Sequence, residues 1–483
     1  MKKKYSVILA FIIWGCHNGN SSSNTNTTST VATDTVKHTQ VNAKPIDKGM
    51  TDTVICASDP SQKYTVYIPS NYTPTKKWPV IYFFDPHGAG NFPLTLYKEL
   101  AEKYGYIIAG TYGSKNGQQW PVTEKAAQSM MQDSWQRLSI DNNRMYTFGF
   151  SGGARVASSV ALYDGGIAGV ALCGGGFPER SPNFRQSFAF IGFVGDRDFN
   201  YTELEQLNKQ LDGSELPHQL IVYHGKHQWP PAPEAEQAFQ WFDMSAMKLH
   251  LISKNDSLLK VLEQKFVKEA DKAHRQNKSV DEYFAYKKMI NYLGGLVDIA
   301  KYADIAKDLE KSDKVQQYLR DEQTNEEQEM KVQSQFINYL SDKETDWWVS
   351  AVKQMKEFIK KDSLAPVALQ NQRLLSYLSL ASYMGASQAF KSQNDVATAH
   401  FLDIYNIVDP TNPEHSYLYA CLYAKENNTA KAFSSLSDAV RLGFNDVRRM
   451  ERDSNFVTLK DAPAFKELVE KIKAMPPKVD MAK

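Results

Sequence analysis

Between residues 64 and 223 the chain alternates short β-branched or aromatic runs with amphipathic stretches, and this alternation constrains the fold more than any other feature. Residues 64–68 and 80–84 are bounded by Pro69, Pro79 and Pro86, which punctuate strands. Similar runs lie at 106–110, 145–148, 169–172, 188–194 and 219–223, and several are apolar on consecutive residues, as expected where both faces of a strand are covered. Helical patterns fill the intervals at 94–103, 124–138 and 154–163. Strand followed by helix, repeated, predicts an α/β domain with a mainly parallel sheet flanked by helices.

After about Met244 the strand-like runs vanish. Apolar residues then recur at i, i+3, i+4 through 283–300, 347–359 and 374–390, which predicts an all-α domain over 244–483. Near its end, Asn394, Ala399, Ile407 and Pro410 are echoed 33 residues later by Asn427, Ala432, Val440 and Gly443. A period near 34 residues with Ala at a helix crossing resembles tetratricopeptide repeats, here over about 373–443.

The first fifty residues are of another kind. Lys2, Lys3 and Lys4 precede an apolar stretch from Tyr5 to Trp14 that is too short to span a bilayer, and Gly15-Cys16 follows. This resembles the lipobox of bacterial lipoproteins, which implies a signal over 1–15, an acylated Cys16 as first mature residue, and a membrane anchor without a membrane span. Residues 16–49 are dominated by Ser, Thr, Asn, Lys, Val and Asp and read as a flexible tether, with the α/β domain occupying 50–243.

The segment with the most specific chemistry is Gly149-Phe150-Ser151-Gly152-Gly153, which ends one predicted strand and opens a helix. G-x-S-x-G in that context is a nucleophile elbow, whose glycines let a serine project its hydroxyl above the sheet. A serine hydroxyl needs a base within hydrogen-bonding reach and a carboxylate to orient that base. Gly195-Asp196-Arg197-Asp198 follows one later strand, and His224-Gly225-Lys226-His227-Gln228-Trp229-Pro230 follows the next, so acid and base come in the expected chain order. Spacing alone leaves Asp196 beside Asp198 and His224 beside His227.

Asp141-Asn142-Asn143-Arg144-Met145-Tyr146-Thr147-Phe148 running into the elbow, and Gly225-Lys226-His227-Gln228-Trp229-Pro230, are similar to the D-x-x-R-V-Y-x-x-G-x-S-x-G-G and G-x-H-x-W-P segments of α/β-hydrolases of the polyhydroxybutyrate depolymerase and feruloyl esterase branch. The resemblance covers about residues 60–243. It implies Ser151 as nucleophile, His227 as base and Asp198, third after a strand-ending Gly, as acid; Arg197, between the two carboxylates in sequence, is expected to tie down whichever is spare. Gly152 then supplies one oxyanion donor. The second comes from Gly88 or Ala89 in Asp85-Pro86-His87-Gly88-Ala89-Gly90, where Asp85-Pro86 departs from the usual apolar residue and His87 reads as structural. Trp120 and Trp229 either wall an acyl pocket or simply pack.

The expected activity is therefore serine hydrolysis of carboxylic esters, small or polymer-linked, at the cell envelope of a Gram-negative bacterium. A serine peptidase on the same scaffold, or a non-catalytic lipoprotein binding a protein partner through its helical repeats, are the alternatives. Lys plus Arg (56) nearly balance Asp plus Glu (55), and no basic cluster recurs after the signal, which argues against a nucleic-acid partner. No H-E-x-x-H, C-x-x-C or P-loop occurs, so neither metal nor cofactor is implied. With Cys16 assigned to lipid, a Cys56–Cys173 bond and three separate thiols at Cys56, Cys173 and Cys421 both fit.

Overall fold

The computed structural model describes residues 45–178, 188–214 and 216–475. The export segment, Cys16 and residues 16–44 of the tether lie outside them. By packing, the chain divides into two units, one comprising Asn200–Glu322 with the described residues up to Gly195, the other Asp196–Phe199 with Gln323–Lys483.

The first unit is built on eight strands: β1 (Thr51–Ile55), β2 (Lys63–Tyr67), β3 (Trp78–Phe84), β4 (Ile107–Thr111), β5 (Ile140–Phe150), β6 (Gly169–Cys173), β7 (Ala189–Gly195) and β8 (His218–Tyr223). Their order is β1-β2-β4-β3-β5-β6-β7-β8, with β1/β2 and β2/β4 antiparallel and every other pair parallel. Helices α1 (Phe92–Tyr104), α2 (Trp120–Arg137), α3 (Gly152–Ser159), α4 (Tyr201–Asp212) and α5 (Ala232–Lys248) connect or follow the strands. The central strands are apolar on consecutive residues because they feed two cores. Ile81, Phe83, Phe148 and Ile191 pack with α1 and α5, whereas Val80, Tyr82, Phe84 and Val170 pack with α2, α3 and α4. This is the α/β-hydrolase sheet that the sequence implies, with the loops after β3, β5, β7 and β8 at its carboxyl edge.

The helices that follow are α6 (Asp256–Arg275), α7 (Ser279–Leu293) and α8 (Ala300–Glu310). Leu259, Leu262, Phe266, Tyr286, Met289 and Tyr292 from α6 and α7 share one core with Ile81 and Phe148 of the sheet. The first unit thus runs well past Met244, because these helices bury their apolar faces on the sheet's own cover. The helical run read over 283–300 is broken at Gly294-Gly295, where Gly295 takes φ 81°. Trp120-Pro121, ahead of the helical pattern read over 124–138, opens α2, with proline in the first turn where its missing N–H is harmless.

The second unit is all-α. Beyond α9 (Asp313–Asp342), within which the division falls, come α10 (Thr345–Lys361), α11 (Pro366–Lys391), α12 (Asp395–Val408), α13 (Pro413–Lys425), α14 (Thr429–Arg441), α15 (Val447–Arg452) and α16 (Pro463–Lys473). The same turn joins α11 to α12 and α13 to α14. Gln393 and Asn427 both take φ 58°, and the next residues, Asn394 and Asn428, cap the following helix by accepting from the N–H of Ala397 and Lys431. Asn394 therefore corresponds to Asn428 rather than to Asn427, and the interval is 34 residues. Cys56, Cys173 and Cys421 are buried free thiols, so the disulfide alternative is set aside.

Candidate active site

Ser151 stands between the last residue of β5 and the first of α3 at φ 53°, ψ −120°, a conformation uncommon for a residue with a side chain. Its N–H donates to the Cys173 carbonyl at 2.8 Å, and its own carbonyl accepts from the Ala154 N–H at 3.0 Å. The turn closes because backbone meets backbone on both sides. A Cβ on Gly149 would lie 2.0 Å from the Gly153 oxygen, and one on Gly153 would lie 2.0 Å from the Phe84 oxygen of β3.

His227 lies on the loop after β8, its Nε2 2.9 Å from Ser151 Oγ and its ring centroid 4.7 Å from that of Phe150. The loop is tied down through its carbonyls. Tyr223 donates its hydroxyl to the Gln228 oxygen at 2.6 Å, the Cys173 thiol donates to the same oxygen at 3.2 Å, and the Tyr97 hydroxyl donates to the Pro230 oxygen at 2.7 Å. Burial pushes the Tyr97 phenol well above its ordinary value, so it stays a donor. Gly195 is required where it is, since a Cβ there would meet the Gly225 oxygen at 2.4 Å and the Lys226 oxygen at 2.6 Å. His224, the rival base, is exposed.

Asp198 is fully buried in the turn that follows β7. Asp196 accepts from Arg197 Nε at 3.3 Å, so the arginine does engage a carboxylate, and it is that of Asp196.

The residues expected to face an oxyanion divide. Gly152 is the first residue of α3, where a helix leaves N–H groups without an intrahelical partner. Gly88 and Ala89 are differently placed: the Gly88 N–H donates to the Asp85 carbonyl at 3.1 Å and the Ala89 N–H to Asp85 Oδ1 at 3.2 Å, alongside the His87 N–H at 2.9 Å. The buried Asp85 also accepts from the Trp229 indole N–H at 3.2 Å. Trp229 is packed among Phe83, Tyr97, Phe148 and Phe150. Trp120 is half-buried, its ring crossing that of Tyr163 at 67°, and His87 is largely exposed. The part that Asp85 plays in ordering this loop is what sequence reasoning missed. The bond that Asp85 accepts from the His87 N–H forms an Asx turn of the kind an Asp-Pro pair starts, but Trp229 is 144 residues away. Among the described residues no cluster of His, Cys, Asp and Glu is placed to hold a metal ion.

No protein-family model matches the chain, and no curated protein matches its sequence. Among solved structures it is similar to S-formylglutathione hydrolase of Staphylococcus aureus, at 12% identity over 40% of this chain and 97% of the other with a TM-score of 0.33. It is also similar to a ferulic acid esterase, at 17% identity over 41% and 96% with a TM-score of 0.32. The carboxylesterase of Bacillus cereus aligns at 17% identity over 39% and 96%, with a TM-score of 0.32.

Proposed function

We propose that the chain is a serine esterase acting through an acyl-enzyme, carried on the cell envelope by a lipid on Cys16. The observation that carries the reading is Ser151, held at a strained elbow with the imidazole of His227 at 2.9 Å. Ser151 Oγ attacks the ester carbonyl as His227 Nε2 takes its proton; Asp198 holds the imidazole in the productive tautomer and stabilises it once charged. The tetrahedral oxyanion is received by the Gly152 N–H. Its collapse expels the alcohol, which takes the proton from His227, and water releases the acyl group by the reverse sequence.

Asp198 is favoured over Asp196 because it is fully buried whereas the Asp196 carboxylate is engaged by Arg197. Asp198→Ala is expected to lower kcat by about 10⁴-fold, and an unaltered rate would sink the assignment. The 34-residue hairpin interval supports a tetratricopeptide-like reading of the helical unit, a surface suited to a protein partner. Export and anchoring rest on the leader alone, and Cys16→Ser is expected to leave the protein in the soluble fraction of lysed cells.

The central test is labelling of purified wild type and Ser151→Ala with a fluorophosphonate probe, followed by nitrophenyl esters of increasing acyl length and matched peptide anilides. Labelling lost in Ser151→Ala with turnover of esters is the expected result. Turnover of anilides in their place would make the enzyme a peptidase. Absence of labelling in folded wild type would replace the reading with that of a binding lipoprotein.

A further inference from the structure

An oxyanion forming at Ser151 needs more than the one N–H of Gly152. The backbone donors expected from the loop after β3 are already turned onto Asp85, Gly88 at 3.1 Å and Ala89 at 3.2 Å. The bond from Ala89 goes to a carboxylate, an acceptor stronger than a neutral carbonyl. Releasing the Ala89 amide would open a cluster of bonds on the Asp85 carboxylate that also holds His87 and Trp229, and releasing the Gly88 amide would open the backbone turn at Asp85.

A different group stands beside the elbow. The three atoms nearest the position of a Cβ on Gly152 all belong to the Asn116 carboxamide: Oδ1 at 1.8 Å, Cγ at 2.8 Å and Nδ2 at 3.3 Å. Asn116 therefore fills the side-chain space that residue 152 leaves empty, one residue from the nucleophile. Glycine at 152 is what admits it. The backbone of Asn116 is fixed, its N–H donating to the Pro86 carbonyl at 2.7 Å, which ties the loop after β4 to the loop after β3. Lys115 N–H closes the same turn on Gln118 Oε1 at 2.9 Å. The side chain itself is exposed, open to an incoming ester. Oxygen and nitrogen of a carboxamide exchange places by a half-turn about the terminal bond, which brings Nδ2 to the position that Oδ1 takes here.

The geometry points to the Asn116 carboxamide as the second oxyanion donor, a catalytic group supplied by a side chain from the loop after β4 in place of a backbone amide after β3. The inference rests on the serine-hydrolase reading. Loss of one such donor lowers kcat by about 10²–10³-fold. The test measures kcat and KM of wild type, Asn116→Ala and Asn116→Asp on a short-chain nitrophenyl ester, with melting curves and affinity for a trifluoromethyl ketone. Asn116→Ala should lose kcat in that range with KM within about threefold and an unchanged melt, and ketone affinity should fall in parallel. Asn116→Asp, of the same size but with no donor, should lose at least as much. Wild type that labels with fluorophosphonate while both variants keep kcat within about threefold overturns this inference alone. Wild type that does not label overturns it together with the hydrolase reading.

Discussion

Gly153→Ala is the substitution whose effect follows most directly from the coordinates. The added Cβ would lie 2.0 Å from the Phe84 carbonyl oxygen, 2.6 Å from its carbon and 3.2 Å from the Asp85 nitrogen, all backbone atoms at the end of β3. β3 is flanked on both sides, paired to β4 and β5, and its residues are buried throughout, so it has no free direction in which to withdraw. Overpacking against side chains costs about 1–3 kcal/mol, and a contact that must open by more than about 1 Å against fixed backbone belongs at or above the top of that range. We expect about 3–5 kcal/mol, a large share of the roughly 5–15 kcal/mol that holds a domain folded. For a unit of this size that is a fall in Tm of about 6–15 °C. Gly152→Ala is the internal control. The three atoms nearest its Cβ belong to the end of the exposed Asn116, which can swing away, so its Tm should stay within about 2 °C of wild type while kcat falls because the carboxamide is displaced. Melting curves of the three proteins, read with fluorophosphonate labelling, decide the matter. A Gly153→Ala melt within about 2 °C of wild type, or a Gly152→Ala melt lowered as far as that of Gly153→Ala, would refute the reasoning.

Burial raises the Asp243 carboxyl from 3.8 to about 6, against the opposing effects of the Tyr106 hydroxyl at 2.6 Å and the Arg144 charge. The folded protein keeps this proton where the unfolded chain has lost it, so its contribution is full below pH 4 and is lost as pH rises through about 6, by roughly 3 kcal/mol in all. Urea midpoints at pH 4.5 and 7.5 should therefore draw apart by less in Asp243→Asn than in wild type. In the helical unit, Glu329 is fully buried against Arg373, with contacts of 3.0, 3.0 and 2.7 Å. Arg373→Met orphans that carboxylate and should cost about 3–5 kcal/mol, most of it recovered in the Arg373→Met/Glu329→Gln double variant; a double variant no more stable than the single would count against the pairing. Arg373 Nη1 also donates to the Asp196 carbonyl at 2.9 Å, two residues before Asp198, so the single variant also loosens the segment that carries the proposed acid.

Strands buried on both faces were legible because their apolar runs are continuous, and the elbow was legible because its glycines are a steric necessity. β1 was not, since three of its five residues are exposed and it offers no alternation to read. A 3.6-residue period tells that a helix has an apolar face and not what covers it. α6 and α7 were accordingly read with the later helices, although Leu262 and Phe266 pack in the sheet's core. His227 and Ser151, 76 residues apart, were paired from their flanking motifs and are in contact. Asn116 carries no such motif: Lys115-Asn116-Gly117 reads as a surface turn, and only the tertiary path of the loop after β4 brings it to Gly152.

What makes the elbow rigid also explains where polar side chains are found in it. Ser151 holds a strained backbone, a state worth about 1–3 kcal/mol that persists only when its surroundings over-determine it. The surroundings here are main chain. Gly153 lies against Phe84, Gly175 brings the end of β6 to the Ser151 carbonyl with 2.7 Å to an added Cβ, and Gly195 lets the His227 loop cross the end of β7. Backbone in such contact has little freedom to shift, and it fixes Ser151, while the His227 loop is held as well by the Tyr223, Cys173 and Tyr97 side chains. The polar side chains at this edge are then left for the reaction or for ordering its loops, as Asp85 does through the His87 and Ala89 N–H groups. An exposed carboxamide set into the side-chain space that Gly152 leaves empty fits the first of these roles.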